Sequence, residues 1–471
     1  MTDTRTPTLI DARGMGGIIA IDGFDYQLWD CLARIPSWVS NPAFEQLIFE
    51  GLEDHEAKFF APHSPHRAVL DRYQAKASTL QPAAVKEVFE NFQSYDEAHP
   101  STARVHTLVM PSLPASLSWF ARDKNRVRKA RPFYAPFNTI TAANEDELRS
   151  VIASTYPGLL GEFVAGTVEV HERNMPDLAN AIATFTTQFN TAFPQLDVSS
   201  RKVEAAFDAL AKLVRNSVGA PVGRAILIET LEKALGTSLP LPMAFPLNVR
   251  SDRNEQDEAS LELDASGFSG GDAGYPSSPV WATDLLAPLG ATSQWLRRQN
   301  IVRIALKGSY RLTTAFALGW SFRSAIGFEI DIPTRDGHWP TDDRPIEGSL
   351  PDWSIRPATR LHGDRLQIAI GVIRDPTAAL IASTGIAEDA VMSIHTPSAL
   401  VSAKAAQASV GLIKRRIDEA VSFLSPVGID IYFVGPAAFA VAIGHRWNAF
   451  PSTQLHEFVA NKYVPTAVID R

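Results

Sequence analysis

"LDRYQAKA" (70–77) is the stretch that decides how the first part of this 471-residue chain is read. From Arg72 to Ser78, polar residues alternate with Tyr73, Ala75 and Ala77, so as a strand it shows one polar and one apolar face. Polar sheet faces ordinarily meet solvent. Here Gln74 and Lys76 stand two residues apart, and acidic residues crowd the upstream stretch "EGLEDHEAKFF" (50–60). The face is therefore either solvated or half of a metal site.

Working outward, "GFDYQLWDCLARI" (23–35) places Phe24, Leu28, Cys31 and Ile35 on one helical stripe, with Gln27 polar where a core residue is expected. "FEQLIFEG" (44–51) and "DHEAKFF" (54–60) are short strands. "PAAVKEVFENFQSYDEA" (82–98) predicts a helix with proline in its first turn, and "ARVHTLVM" (103–110) is β-rich. The order helix, three strands, helix, strand makes a small mixed sheet flanked by helices. On adjacent antiparallel strands, the face with Asp54, Glu56 and Lys58 comes within contact of the one with Gln74 and Lys76. Carboxylate and amide oxygens are hard ligands suited to Mg²⁺. A lysine beside that ion can orient or help deprotonate an attacking water and offset charge in a phosphoryl transition state. For "QAK" alone a solvated face is the simpler reading. With an acid on the neighbouring strand and this frame around it, the metal site is the better one.

On "GFDYQ", "EGLEDHEA" and "RYQAKA", residues 14–110 resemble the PD-(D/E)xK restriction-like nucleases. The resemblance is closest to the branch with QxK in place of (D/E)xK, seen in Mrr-like enzymes and antiphage effector nucleases. It implies Asp54 as the principal metal carboxylate, Gln74 as the second metal ligand and Lys76 as the catalytic lysine, with Mg²⁺ or Mn²⁺ as cofactor. The family's proline before the acid is absent. Gln27, Glu50, Glu53 and Glu56 are alternatives for the supporting position.

Composition sets the outer limits. A chain this long exceeds one core, and 45% apolar with 20% charged residues is ordinary for a soluble globular protein. The formal charge of −8 gives no global basic field for nucleic acid, so such binding must use a local patch. "ARDKNRVRKAR" (121–131) supplies one: Arg122, Lys124, Arg126, Arg128, Lys129 and Arg131 suit a DNA phosphate track. The single cysteine, Cys31, and the absence of an apolar signal core or a spanning stretch fit a cytoplasmic protein without membrane contact. "RGMGG" (13–17) is too short for a dinucleotide or phosphate-loop motif and reads as a turn. The eleven scattered histidines call for no special role.

Residues 112–245 look mostly helical, and 248–279, rich in Gly, Ser, Pro and polar residues, read as a linker or irregular domain entrance. The last third alternates strands and helices. "ALKGSYRLTTAFALG" (305–319) and "YFVGPAAFAVAIG" (432–444) each run strand, glycine turn, Ala-rich helix, glycine, which suggests a pseudo-symmetric domain with a ligand near the paired turns. "ALKGSYRLTTAFALGWSF", "GFEIDIPTRDGHW", "IYFVGPAAFAVAIGHRWNAFPSTQLHEF" and "PVWATDLLAPL" (279–289) resemble the SAVED domain, a CARF-related sensor fused to antiphage effectors. The resemblance implies two CARF-like halves gripping a cyclic di- or trinucleotide. By placement, Lys307, Ser309 and Arg311 at the first turn, Pro436 at the second and Arg374 in "GVIRDP" (371–376) are candidates for its phosphates. Trp281 and Trp447 are candidates for stacking on its bases.

The fold expected is therefore α/β: a restriction-endonuclease-like domain (1–150), a mostly helical extension (151–245) and a SAVED domain of two fused CARF-like halves (246–471). Together the ends resemble a cyclic-oligonucleotide-activated endonuclease of double-stranded DNA, oligomerising on its ligand in an antiphage system. The alternatives are a standalone Mrr-like restriction enzyme and a catalytically inactive nucleotide-binding sensor.

Overall fold

In this computed structural model, which describes residues 16–100, 102–134, 138–251, 260–270, 274–335, 337–341 and 350–470, the chain folds as two units, 1–241 and 242–471. The first begins with α1 (Gly16–Ser40), β1 (Phe44–Phe49), β2 (His55–Phe60), β3 (Ala68–Ala75), α2 (Pro82–Ala98) and β4 (Ala103–Met110). It continues with α3 (Ala115–Tyr134), α4 (Asn138–Thr155), α5 (Leu159–Thr167), β5 (Val168–Glu172), α6 (Leu178–Ala192), α7 (Ser200–Arg215), β6 (Pro221–Gly223) and α8 (Arg224–Leu235). Of "RGMGG", residues 13–15 lie outside the described part, and Gly16–Gly17 open α1 rather than forming a turn.

One six-stranded sheet, in the order β5-β4-β3-β2-β1-β6, organises this unit. β1, β2 and β3 are antiparallel neighbours, whereas β3, β4 and β5 run parallel. The Leu28–Leu32–Ile35–Val39 stripe of α1 packs with Phe185, Phe189, Phe207 and Leu210 into one core, and Phe89, Phe92, Phe120 and Val164 gather with the β4–β5 strands into another. Burying each such side chain contributes about 1.5–3 kcal/mol, so both cores help hold the frame. Both edge strands, β5 and β6, come from the segment expected to be a helical extension. A boundary at 150 would cut through the sheet; the unit runs to Leu241. Long helices mask a five- or three-residue edge strand in composition.

The second unit opens with β7 (Phe245–Arg250), β8 (Leu261–Asp264), α9 (Ser278–Trp281), α10 (Ala287–Arg298), β9 (Arg303–Gly308), α11 (Leu312–Ser321), β10 (Glu329–Thr334) and β11 (Gly337–Pro340). It closes with β12 (Ser354–Arg356), β13 (Arg365–Val372), α12 (Thr377–Thr384), β14 (Val391–Thr396), α13 (Ala403–Leu424), β15 (Gly428–Val434), α14 (Ala437–His445), β16 (Ser452–Val459) and β17 (Lys462–Ile469). The region 248–279 is thus no plain linker, since β7 and β8 lie in it and pair in parallel.

The two sheets, β11-β10-β9-β7-β8 and β12-β14-β13-β15-β16-β17, repeat one plan. β7, β8, β9, α11, β10 and β11 of the first correspond in order to β13, β14, β15, α14, β16 and β17 of the second, and each half ends in an antiparallel hairpin. The echo in the sequence is a repeat in the fold. α11 and α14 pack closely because each has a glycine at the crossing: a Cβ on Gly319 would strike the Val441 carbonyl, and one on Gly444 the Phe316 carbonyl. Among the described residues, no helix is long and apolar enough to cross a membrane.

Candidate functional site

The acidic stretch and the QxK strand meet at one end of the first sheet. After β1 the chain turns with Glu50 in the left-handed region (φ 55°). The Glu50 N–H donates to the Asp54 carbonyl (2.8 Å) and the Gly51 N–H to that of Glu53 (3.1 Å). This turn delivers Asp54 to the end of β3, where the Ala75 N–H donates to its Oδ2 at 2.6 Å. Pairing of His55 with Tyr73 and Glu56 with Arg72 sets the antiparallel register, which carries Asp54 toward Gln74. Lys76 follows, anchored by its N–H to the Val109 carbonyl (2.8 Å), and its charge acts on Asp54 and Glu53. From α1, Gln27 hydrogen-bonds the Asp54 carboxylate.

Burial pushes the Asp54 carboxyl above its usual value, opposed by the Ala75 N–H, Lys76, His55 and Gln27. Burial and then the Asp54 charge raise Glu50 as well. The same two causes, helped by Glu56 and opposed by Arg72 and Lys76, push Glu53 up to about 7. Two buried side-chain oxygens here, Gln74 Oε1 and Glu50 Oε1, receive no hydrogen bond among the described residues. Buried acceptors without a donor are rare. With Asp54 they form a set of hard oxygens that fits Mg²⁺ or Mn²⁺ rather than a thiophilic metal. The set consists of two carboxylates and one amide; no group of three or more His, Cys, Asp or Glu arranged for a metal occurs among the described residues.

Glu56 does not join that set. The register places it against Arg72, and the two buried side chains pair at 3.4 Å. Lys58 is likewise engaged, with Glu45 at 3.1 Å. On the opposite face of the same strands lies an arrangement absent from the sequence reading. His55 stacks on Tyr73 (4.8 Å between ring centres), and its Nε2 is 3.1 Å from Asp30 Oδ2. Asp30 also pairs with Arg34 (2.9 Å) and Arg173 (3.1 Å). Its carboxyl is held well below the usual range: burial opposes ionisation, but the two arginines and His55 outweigh it. The signal was Asp30 and Arg34 four residues apart beside an apolar stripe, a buried ion pair in waiting.

On α3 the exposed guanidinium of Arg122 pairs with Asp123 (2.9 Å), and Arg126 approaches the same acid (3.6 Å). Lys124 turns inward, to the Val168 carbonyl, Glu169 and the Phe120 ring, and so is no part of an exposed track. The side chains of Arg128, Lys129 and Arg131 lie outside the described residues.

In the second unit, a cavity of about 560 Å³ opens where the first turn of α14 (Pro436–Ala438) faces Arg335, His338 and Trp339 of the β10–β11 hairpin and Ser402 at the start of α13. It lies at the carboxyl ends of the second sheet's parallel strands, where open α/β sheets bind ligands. Pro436 heads α14 and has no side-chain acceptor to cap it, and among the described residues no other side chain accepts from its opening N–H groups. The corresponding end of α11 is filled: the Thr313 N–H donates to Glu457 Oε1 at 2.7 Å, from β16 of the other half. Around it Ser309 Oγ meets Ser251 Oγ (2.8 Å) and Arg311 donates to the Ser269 carbonyl (2.6 Å), while Lys307 and Arg374 are exposed. Pro436 thus lies at the open pocket, and Ser309 and Arg311 are tied to neighbouring loops.

Trp281 is fully buried, donates to the Pro276 carbonyl (3.1 Å) and packs on Phe268. It is a core residue and presents no face to a base. Trp447 is also buried, donating to Thr453 (3.0 Å). Arg335, His338 and Trp339 sit inside the signature "GFEIDIPTRDGHW"; their hairpin position was the clue that they could face a ligand.

The second unit is thus two repeated α/β halves, with the helix terminus at the strand ends open in one of them and filled in the other. Residues 289–469 match the family model for the SAVED domain, described as the SMODS-associated and fused to various effectors sensor domain. Over its whole length the chain is similar to CD-NTase-associated protein 4. It is 22% identical over 473 residues to that of Moraxella osloensis and 24% over 477 to that of an Acinetobacter species, covering 98% of this chain and 99% of each relative. The Acinetobacter baumannii Cap4 SAVED/CARF-domain containing receptor, solved with the cyclic trinucleotide 2′3′3′-cAAA, superposes with a TM-score of 0.77 at 22% identity, covering 95% and 99% of the two chains. The Moraxella osloensis Cap4 receptor gives 0.71 at 20% identity, with the same coverage. These likenesses establish the mixed α/β fold along the chain.

Proposed function

We propose that the first unit is a metal-dependent endonuclease of double-stranded DNA, switched on by a cyclic trinucleotide bound in the second. The chain would act in the cytoplasm as the effector of a cyclic-oligonucleotide antiphage system. The observation that carries this reading is the Ala75 N–H bond to Asp54, which brings Asp54, Gln74 and Lys76 to one strand end. The ligand class is supported by the cyclic trinucleotide named for the similar Cap4 receptor.

Asp54, Gln74 and Glu50 would hold the divalent ion. When bound, it supplies Lewis-acid polarisation of a phosphate oxygen and a water of lowered pKa. Gln27 and the Ala75 N–H fix the Asp54 carboxylate. The Lys76 ammonium stabilises charge growing on the scissile phosphate. Beside Asp54, burial and the Asp54 charge push the Glu53 carboxyl up to about 7. In the second unit the N–H groups opening α14, with Arg335 and His338, would take phosphates; Lys307 and Arg374 are further candidates. On α3, the exposed Arg122 and Arg126 would lie along DNA.

The test is incubation of supercoiled plasmid with Mg²⁺ and a panel of cyclic di- and trinucleotides. Linear product only with metal and a trinucleotide is expected. Cleavage without any nucleotide would point to a standalone restriction enzyme, and none under any condition to a binding module.

A further inference from the structure

At the other end of α11 and α14 lies a second cavity, of about 470 Å³. Both helices start at the strand ends that face the first pocket and run away from it. This cavity is lined by Ser324 just past α11, Arg446 and Asn448 just past α14, and the middle of α13. On α13, Gln407, Gly411 and Lys414 follow at i, i+4 and i+7, so they share one helix face toward it.

Gly411 is unexplained by packing. It sits inside a 22-residue helix, where glycine costs roughly 0.5–1 kcal/mol relative to alanine. Unlike Gly319 and Gly444, it has no atom within 4 Å of where a Cβ would stand. Nothing in the fold requires it, and it leaves bare backbone at the cavity. Gln407 is the independent observation: it is 5% exposed, and its buried Nε2 makes no hydrogen bond among the described residues. A buried amide donor without an acceptor calls for one. Lys414 and Arg446 add positive charge, and among the described residues no acidic side chain lines the cavity. Among the described residues, Arg446 makes long side-chain contacts to Ser324 (3.4 Å) and the Thr341 carbonyl (3.5 Å). Lys414 reaches Asp418 (3.1 Å), an exposed pair of small worth, and lies 4.4 Å above the Phe450 ring.

We propose that this cavity binds a small anion bearing a flat, acceptor-rich ring, the simplest being a nucleoside monophosphate. The ring lies on the bare backbone at Gly411, the Gln407 amide donates to its edge, and Lys414 and Arg446 take the phosphate. The site is separate from the pocket at α14's N-terminus and does not depend on the first unit being a nuclease.

The experiment is calorimetric titration of the full chain with AMP, with inorganic phosphate, and with AMP in the presence of saturating cyclic trinucleotide. One AMP should bind per chain, more tightly than phosphate, and the cyclic trinucleotide should leave it in place. Gly411→Leu fills the cradle with a better helix former, so AMP affinity should fall by about tenfold or more with no loss of thermal stability. Lys414→Gln should weaken binding and flatten its salt dependence. The proposal is overturned if wild-type protein takes up no AMP at millimolar concentration, if Gly411→Leu binds it unchanged, if phosphate binds as tightly, or if the cyclic trinucleotide displaces it.

Discussion

At the scale of single residues, Lys76 separates chemistry from architecture. Its side chain is partly exposed beside Asp54, so Lys76→Ala should cut plasmid cleavage by on the order of 100-fold or more while leaving the melting temperature unchanged. Normal digestion by that variant would remove the site assignment. Asp30 behaves oppositely. Itself fully buried, it neutralises the buried Arg34 and the partly buried Arg173, so Asp30→Asn should cost roughly 3–5 kcal/mol in urea denaturation. Two buried histidines set an acid limit: burial pushes both His106 and His445 down to about 4. An unfolded chain protonates them near about 6.5. Between those values the unfolded state binds more protons, so stability is full above the upper value and declines as pH falls through the window. A denaturation midpoint flat from pH 7 to 4 would contradict this. Asp54, Gln74 and Lys76 were legible because a strand's two-residue period and antiparallel pairing fix which side chains meet. Trp281 and Lys124 were not, because the direction of a long side chain is settled by packing from distant parts of the chain.

Among the elements, α11 and α14 offer the sharpest test. Gly444→Ala puts a Cβ into the Phe316 carbonyl, and overpacking of this kind typically costs about 1–3 kcal/mol. The urea midpoint of the second unit should fall accordingly; an unchanged midpoint would mean the crossing has slack. The β10–β11 hairpin and the start of α14 make a second. Arg335→Ala should weaken cyclic-trinucleotide binding about tenfold, the worth of one charge-assisted phosphate contact, while Trp281→Phe leaves affinity unchanged. Element order in the first 110 residues was readable because each stretch had a clear period and a turn or proline at its boundary. β8 was missed because four residues, Leu261–Asp264, stand in a polar, glycine-rich surround that outweighs two buried leucines.

For the whole molecule, the proposed nuclease raises the question of how one such site per chain would make a double-strand break, which needs two. The proposal is that ligand binding stacks protomers through the second unit. A ligand preferring the stacked form by about 100-fold supplies roughly 2.7 kcal/mol of bias. Light scattering should therefore show larger species on ligand addition, and residues 1–241 alone should remain monomeric and nearly inert. Full activation of a strictly monomeric protein would refute stacking and leave the nuclease reading intact. The capping of α11 by Glu457 bears on what the second unit would recognise under the proposed function. Had both helix ends been open, the repeated halves would offer a twofold pair of matched cradles, suited to a ring of two nucleotides related by the same axis. With one cradle stoppered by the neighbouring half and the other open, the second unit is lopsided by construction, and under the proposed function a cyclic dinucleotide would satisfy only one of its two equivalent ends.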